Sequence, residues 1–457
     1  MSTAQNKNNA AAFIYKSVRI TLEEGKNKGK TYEIGNLVFG FTYYEDITKP
    51  FLSANLNIND SGMNLIGSGT GPITGNELVE IDVIGPDNVE YNYSFRVYRV
   101  GDRINSGKIQ NYNLGLISAE ALYDPQTRIK KSLTGTPDQI VKEVLATKDK
   151  LGIPFTSKST ANVDPCLNQK KILPRNLTPF AICAKLQDQS IPTGKSGSGS
   201  GEGAETKDGK YSNGTAGFFF YENAKGFNFK SIDGLMDIEN KGFAKGANFV
   251  KTFRDSAGEE TDTTLIDVQF TSEINLMHGL RTGAYALRCQ YYNFSTGEYD
   301  ESTYSVENSY KNQAHLGSQD NLTEGQKILA KRPTRNVSAI IDDESYYSGQ
   351  DSAEDSNYKD WTKSTLPQSI SRNYLLNTQG LRVVVPGNLQ LVVGDLVRVY
   401  LQNMSTQEDR KLESVDQEHS GFYLITALSR FYSTVDKRVT TMLSLKRDSY
   451  GLLDIET

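Results

Sequence analysis

From Ser17 to about Leu122 the chain alternates apolar and polar residues with a period of two. Val18, Ile20 and Leu22 form one such run, Leu37 to Tyr44 a second, and Leu56 and Ile58 a third among Asn55, Asn57 and Asn59. Val79, Ile81 and Val83 alternate with Glu80 and Asp82, Gly85-Pro86-Asp87 turns the chain, and Tyr91, Tyr93, Phe95 and Val97 return. Tyr112, Leu114 and Leu116 add another strand. Short strands with one polar face at this spacing predict an antiparallel barrel or sandwich. The same period returns near the C-terminus. Leu381, Val383 and Val385 alternate with Arg382 and Val384, and Leu389, Leu391 and Val393 with Gln390 and Val392. With Pro386-Gly387-Asn388 between them, the pattern predicts a hairpin in which Val385 faces Leu389, Val383 faces Leu391 and Leu381 faces Val393. Pro386 presets φ for the first corner, and Gly387 supplies the positive φ of a type II turn. Gly394-Asp395 then bends the chain into Leu396 to Leu401.

Between these regions the period changes. Thr136-Pro137-Asp138 offers an N-cap, a proline in the first turn and an early acid, with Ile140, Val141, Val144 and Leu145 following at helical spacing, which predicts a helix to about Lys148. Thr178-Pro179 repeats the device before Phe180, Ile182, Cys183 and Leu186, so Cys183 reads as a small core residue. Gly194 to Gly214 is a glycine- and serine-rich stretch that buries too little apolar area to order itself and reads as a flexible surface loop. Phe218 to Tyr221 and Gly226 to Phe229 read as an aromatic hairpin. Thr264 to Phe270, a helical turn at Glu273 to Leu280, and a strand at Ala284 to Phe294 look like pieces of a second β domain, completed by Leu381 onward and by Phe422 to Tyr432 and Val439 to Arg447. Glu307 to Leu376 is polar and lacks a sustained period, so an irregular insertion with helical patches is expected there. The fold class is mainly β with minor α.

Composition narrows the chemistry. A chain of 457 residues is long enough for about three domains. With 39 Gly and 25 Tyr against 37% apolar residues, it favours strands and turns over long buried helices. A net charge of −5 indicates neither a basic nucleic-acid surface nor a polyacidic tail. The three cysteines, Cys166, Cys183 and Cys289, are odd in number and far apart, so they read as free thiols of a reducing compartment, and His278, His315 and His419 form no zinc spacing. The N-terminus lacks a signal-peptide pattern, and no apolar run is long enough to span a bilayer. Gly194-Lys195-Ser196 lacks the rest of a phosphate loop. Asp342, Asp343 and Glu344 are candidate metal ligands or a glycosidase pair, but adjacent acids in a polar stretch are ordinarily solvated surface. No histidine sits in a nucleophile motif. Tyr91, Tyr93 and Tyr112 are candidates for a sugar platform, although alternating tyrosines are more often core or interface. No catalytic residue, cofactor or metal is expected. Two β domains around a short-helix region suggest a structural or assembly protein, with a carbohydrate-binding or glycosidase-associated β protein as the alternative.

Three C-terminal motifs sharpen this reading. Val385-Pro-Gly-Asn388 with Val393-Gly-Asp395, then Gly421 to Leu428, then Leu443 to Gly451, resemble the end of the baseplate central hub proteins of contractile-tailed bacteriophages, which are related to the base of type VI secretion spikes. The resemblance implies two tail-tube-like antiparallel β-barrels. The first spans 17–122, after an arm at 1–16. The second is discontinuous, 243–306 and 380–450, with a polar insertion at 307–379 and a tail at 451–457. An α+β intermediate domain at 123–242 carries the 194–214 loop. The resemblance further implies a homotrimer in the virion baseplate, assembled in the host cytoplasm. Its partners are then the tail tube, the central spike and neighbouring baseplate proteins, and DNA passes through without specific binding. Pro386, Gly387, Asn388, Gly394 and Asp395 are the turn residues of the motif.

Overall fold

The computed structural model describes residues 11–453 except 24–26, 67–72, 108, 149–151, 153, 161, 194–215, 239–250, 255–262, 273–274, 294–296, 320, 342–354 and 403–414. The Gly/Ser stretch and the acids Asp342, Asp343 and Glu344 therefore lie outside the described residues. The N-terminal half opens with seven strands: β1 (Ile14–Thr21), β2 (Thr31–Glu33), β3 (Val38–Asp46), β4 (Ser53–Asp60), β5 (Leu78–Ile84), β6 (Glu90–Ser106) and β7 (Ile109–Ile117). The alternation seen in the sequence is what they bury: Ala54, Leu56 and Ile58 of β4 point inward between Asn55, Asn57 and Asn59.

The middle of the chain forms α1 (Ala119–Tyr123), β8 (Leu133–Gly135), α2 (Pro137–Leu145), β9 (Asn162–Val163), β10 (Lys170–Ile172), α3 (Pro179–Gln187), β11 (Phe218–Asn223), β12 (Gly226–Ser231) and α4 (Ile232–Met236). Both predicted proline-started helices are present. Gln139 at the third position of α2 accepts from the Thr136 N–H (3.2 Å), and Thr178 caps α3 through Ala181 N (3.3 Å). The β11–β12 hairpin is buried on both faces. Phe219 and Tyr221 join the main core, whereas Phe218, Phe220, Phe227 and Phe229 join a second core with both helices and Cys183.

The remainder supplies β13 (Lys251–Arg254), β14 (Asp267–Ser272), α5 (Leu276–Thr282), β15 (Ala286–Asn293), β16 (Glu298–Ser305), α6 (Glu324–Ala330), β17 (Arg335–Ile341), α7 (Asp355–Leu375), β18 (Gln379–Pro386), β19 (Leu396–Tyr400), β20 (Gly421–Ser433) and β21 (Arg438–Arg447). The organising element is a 13-stranded sheet in the order β14-β18-β21-β20-β3-β4-β7-β6-β5-β1-β2, with β19 and β13 branching from β20. One continuous core runs under both halves of it. Two expectations need correction. The strand expected at Ala284 to Phe294 as a piece of the second β domain forms as β15, but it pairs with β16 and β17 in a separate three-stranded sheet. Leu287, Cys289 and Tyr291 of that sheet pack on Leu366 and Ile370 of α7, a helix that a proline at 367 and a polar sequence hide from a period search.

The predicted hairpin at 381–393 also does not form. β18 pairs with β14 and β21 instead, and Leu389 to Val393 is not a strand. Leu389, Leu391, Val392 and Val393 are all buried, so the apparent alternation marks a segment packed on both sides rather than a two-faced strand. The turn is not type II either. Gly387 and Asn388 are consecutive left-handed residues, with φ of 55° and 58°, and the Gly387 N–H bonds to Val439 O (3.1 Å). Only glycine holds that conformation without cost, so Gly387→Val is expected to lose about 1–3 kcal/mol in denaturant unfolding. Wild-type stability in that variant would exclude the left-handed geometry at 387.

Candidate functional site: the joint between the two halves of the sheet

β20 and β3 come from opposite ends of the chain and pair antiparallel from Ala427↔Asp46 to Ser433↔Gly40. Seven residues per strand thus join the two halves of the sheet edge to edge. On the core side, Phe41 stacks on Tyr432 (5.3 Å between centroids), and the Tyr93 and Tyr432 hydroxyls share a hydrogen bond of 2.8 Å. Arg430 of β20 is completely buried, lies 5.6 Å from the Tyr43 ring centroid, and donates to Leu391 O. Glu45 of β3, 2% exposed, accepts from Tyr43 Oη (2.6 Å), Ala224 N (2.9 Å) and Val393 N (2.8 Å). Burial pushes the Glu45 carboxyl up, and Arg430 with these three donors offsets that only in part.

The strap Leu389–Val393, which the sequence pattern casts as a returning strand, crosses this joint. Gln390 Nε2 reaches Asp87 Oδ2 in the N-terminal half (3.1 Å), Val393 N reaches Glu45, and Asn223 Nδ2 of the β11–β12 turn donates to Val393 O (3.1 Å). The motif residues sit at its two ends. Asn388 Nδ2 donates to Pro386 O (2.6 Å) at the entry. At the exit Gly394 has φ of 92°, and a Cβ there would lie 2.1 Å from Tyr221 Oη, so the close approach itself requires glycine. Asp395 Oδ2 accepts from Val392 N (3.1 Å), and its carbonyl accepts from Ile425 N (3.0 Å).

Two further buried charge clusters fix the modules around the joint. Glu222, from β11, accepts from Ser118 Oγ (2.7 Å) and Leu52 N (3.2 Å), and Lys158 bridges it to Glu120 (2.5 and 2.7 Å). Arg372 of α7 is wholly buried between Asp448 (2.6 Å) and Asp233 (3.0 Å). His315 places Nδ1 2.7 Å from Asp448 and Nε2 2.8 Å from Tyr310 O. Burial alone would raise the Asp448 carboxyl, but His315 and Arg372 override it and hold it well below the usual carboxylate range. Chemically these sites position chain segments; their carboxylates are enclosed by donors.

Sequence reasoning read a hairpin turn at the entry to the strap and missed Glu45, Arg430 and Arg372, whose buried charges leave no trace in periodicity. The tyrosines considered as a sugar platform are placed otherwise. Tyr93 and Tyr112 are core residues, and the Tyr91 hydroxyl is tied to Asp87 (2.7 Å). His419 bonds to Asp416 (2.8 Å), and Cys166, Cys183 and Cys289 are free and buried.

The opposite, solvent face of the joined strands has an uncharged strip along its middle. One cross-strand row reads Ile117, Ser53, Tyr44, Ser429, Met442 and Val384, and the next Gly115, Asn55, Thr42, Phe431 and Thr440. Charged residues surround them: the rows run on into Arg96 and Arg99 of β6, the first also into Asp267 of β14, and the same face carries Asp46, Arg382, Arg438 and Lys446 beside them.

No family model and no curated protein matches the chain. Solved structures do. The prophage MuSo2 43 kDa tail protein from Shewanella oneidensis is 10% identical over 96% of this chain and 98% of its own, with a TM-score of 0.50. The chain has the fold of a phage tail protein. The tail protein from Neisseria meningitidis MC58 is also 10% identical, over 96% of this chain and 97% of its own, at a TM-score of 0.49. An E. coli component of the type VI secretion system, described as similar to the tail proteins gp27 and gp5 of bacteriophage T4, is 11% identical over 92% and 76%, at 0.41.

Two expected outcomes follow from the buried charges of this tail-protein fold. Glu45→Ala leaves two backbone N–H groups and Arg430 without their carboxylate, and should cost roughly 3–5 kcal/mol in urea unfolding, with Glu45→Gln losing less. A near-neutral Glu45→Ala would remove the joint's dependence on this acid. For Asp448, whose folded carboxyl is depressed, the stabilisation is present above the ordinary aspartate value of about 4 and is lost as pH falls below it. Melting curves from pH 7 to pH 3 should therefore show an acid limb that Asp448→Asn flattens; an unchanged limb would assign it to other carboxylates.

Proposed function

We propose that this chain is the central hub subunit of a contractile-tail baseplate, a structural virion protein rather than an enzyme. Three copies close into a ring that presents six similar β units to the six-fold tail tube on one side and a three-fold socket to the central spike on the other. The observation that carries the reading is the β3–β20 pairing. It makes the two halves neighbours in one sheet, as adjacent units of such a ring must be. Neighbouring baseplate proteins meet the outer surface of the ring.

The uncharged rows across β7, β4, β3, β20 and β21 suit the wall of a bore. A surface of amides, hydroxyls and a few apolar side chains offers phosphates no counter-charge, so DNA slides past without being held. A sugar-binding role has less support, since the candidate tyrosines are engaged in the core.

Light scattering on the purified protein tests the assembly. The expected particle holds three 50.7 kDa chains, alone or with a tube or spike protein as template. A particle that stays monomeric in the presence of both partners would count decisively against the hub.

A further inference from the structure

A cavity of about 770 Å³ lies where α3, α7, β17 and the β3–β20 joint come together. Its lining includes the cross-strand row Asp46, Ala427 and Ser444, with Lys446 beside it. Ile47, Phe219, Ile370 and Leu376 give it apolar walls, and Thr48, also in the lining, is exposed, so the cavity opens to solvent. None of the buried charge clusters described above lines it.

One carboxylate in the lining does little for the fold. Asp188 is the C-cap of α3. It accepts one hydrogen bond, from Ser369 Oγ of α7 to Oδ1 (3.1 Å), and no described cation pairs with it. Burial pushes its carboxyl up. A helix C-terminus carries a partial negative charge of its own, so an acid there is repelled where a Lys or Arg would be stabilised. α7 ends at the same cavity, with Asn373, Tyr374 and Asn377 in the lining. Two helix C-termini and an uncompensated carboxylate therefore converge on one space. A titratable group held at such a cost in a cleft points to binding rather than to folding.

The two cations of the lining are committed elsewhere. Arg335 donates to Thr282 O (2.7 Å) and lies over the Tyr374 ring, 5.4 Å from its centroid. Lys446 donates to Asn377 Oδ1 (2.5 Å), and the charge that acts on it is that of Asp46. An anionic occupant would meet Lys446 but would have to enter against both helix ends, whereas a cation gains from the ends and from Asp188 together.

We infer that this cavity seats a basic side chain, Arg or Lys, of a partner protein, with the Asp188 carboxylate as its counter-charge. Both side chains carry their charge on an apolar stem, which Ile47, Phe219 and Leu376 can cover, and the volume is many times that of a bare ion. That the partner is a protein rests on the assembly reading above; the charge of the occupant does not.

The test uses the full chain and acetyl-Gly-Arg-Gly-amide, followed by saturation-transfer NMR at about pH 8. The neutral citrulline peptide of the same shape should bind about tenfold more weakly. Asp188→Asn should erase that preference while raising the melting temperature by about 2 °C, since it removes an uncompensated charge. The isolated chain serves whether or not it trimerises, so failure here is separable from failure of the ring. Equal binding of the two peptides, no binding of either, or a preference that survives Asp188→Asn would overturn the site. A fall in melting temperature in that variant would do so too, because the carboxylate would then be a structural tie. Tighter binding of acetyl-Gly-Glu-Gly-amide would make the cavity an anion site around Lys446, and spermidine binding at least as tightly as the arginine peptide would give it to a free polyamine; either result excludes a partner's basic side chain.

Discussion

The rest of the structure depends on one buried carboxylate, that of Glu45. It sits on β3 within the strand pairing that joins the two halves of the sheet, and it receives hydrogen bonds from the strand itself, from the β11–β12 turn and from the strap before β19. Its donors belong to three separate regions of the chain, so its position holds only when all three are in place. Arg430 supplies the compensating charge from the other strand of the joint, at a site where neither ion reaches water. Burying such a set contributes little net stability compared with apolar packing, but it penalises every arrangement in which one member is missing. The joint is therefore fixed in geometry by its polar atoms and in energy by the aromatic residues around them.

Joining the halves within one chain changes the assembly problem. Two tube-like units on separate chains meet only at the cost of translational and rotational freedom. Here the β3–β20 contact forms during folding, with the intermediate module as its tether and Glu222 and Arg372 fixing that module's seat. In the proposed ring, half of the unit-to-unit contacts are thus made before any subunits meet.

What the sequence made legible follows from how local each signal is. Strands of the N-terminal half announce themselves because Val18, Ile20, Leu56 and Ile58 alternate with solvated neighbours, and the Thr-Pro starts of α2 and α3 are contained in three residues. The segment Leu389 to Val393 misled for a physical reason. Its apolar spacing copies a strand, yet it lies between the two halves, where even the intervening Val392 is buried. The partner of β20 is nearly the whole chain away in sequence, so no period reveals it. Glu45, Arg372 and Arg430 leave no mark in the pattern for the same reason, since only the folded topology removes them from water.

The separation of charge across the sheet is the remaining constraint. Arg372, Arg430 and Arg447 are completely buried, each meeting carbonyls, carboxylates or aromatic rings on the protein's own side of the strands. A guanidinium carries its charge at any physiological pH, so enclosing it uses its terminal donors as structural ties without exporting a positive field. The opposite face keeps amides and hydroxyls that satisfy one another, as Asn113 does with Asn57 at 2.8 Å. A surface whose polar groups are mutually bonded presents few free donors to a passing polyanion. The same strands thereby hold the fold together with buried charge on one side and keep an uncharged strip along the middle of the other.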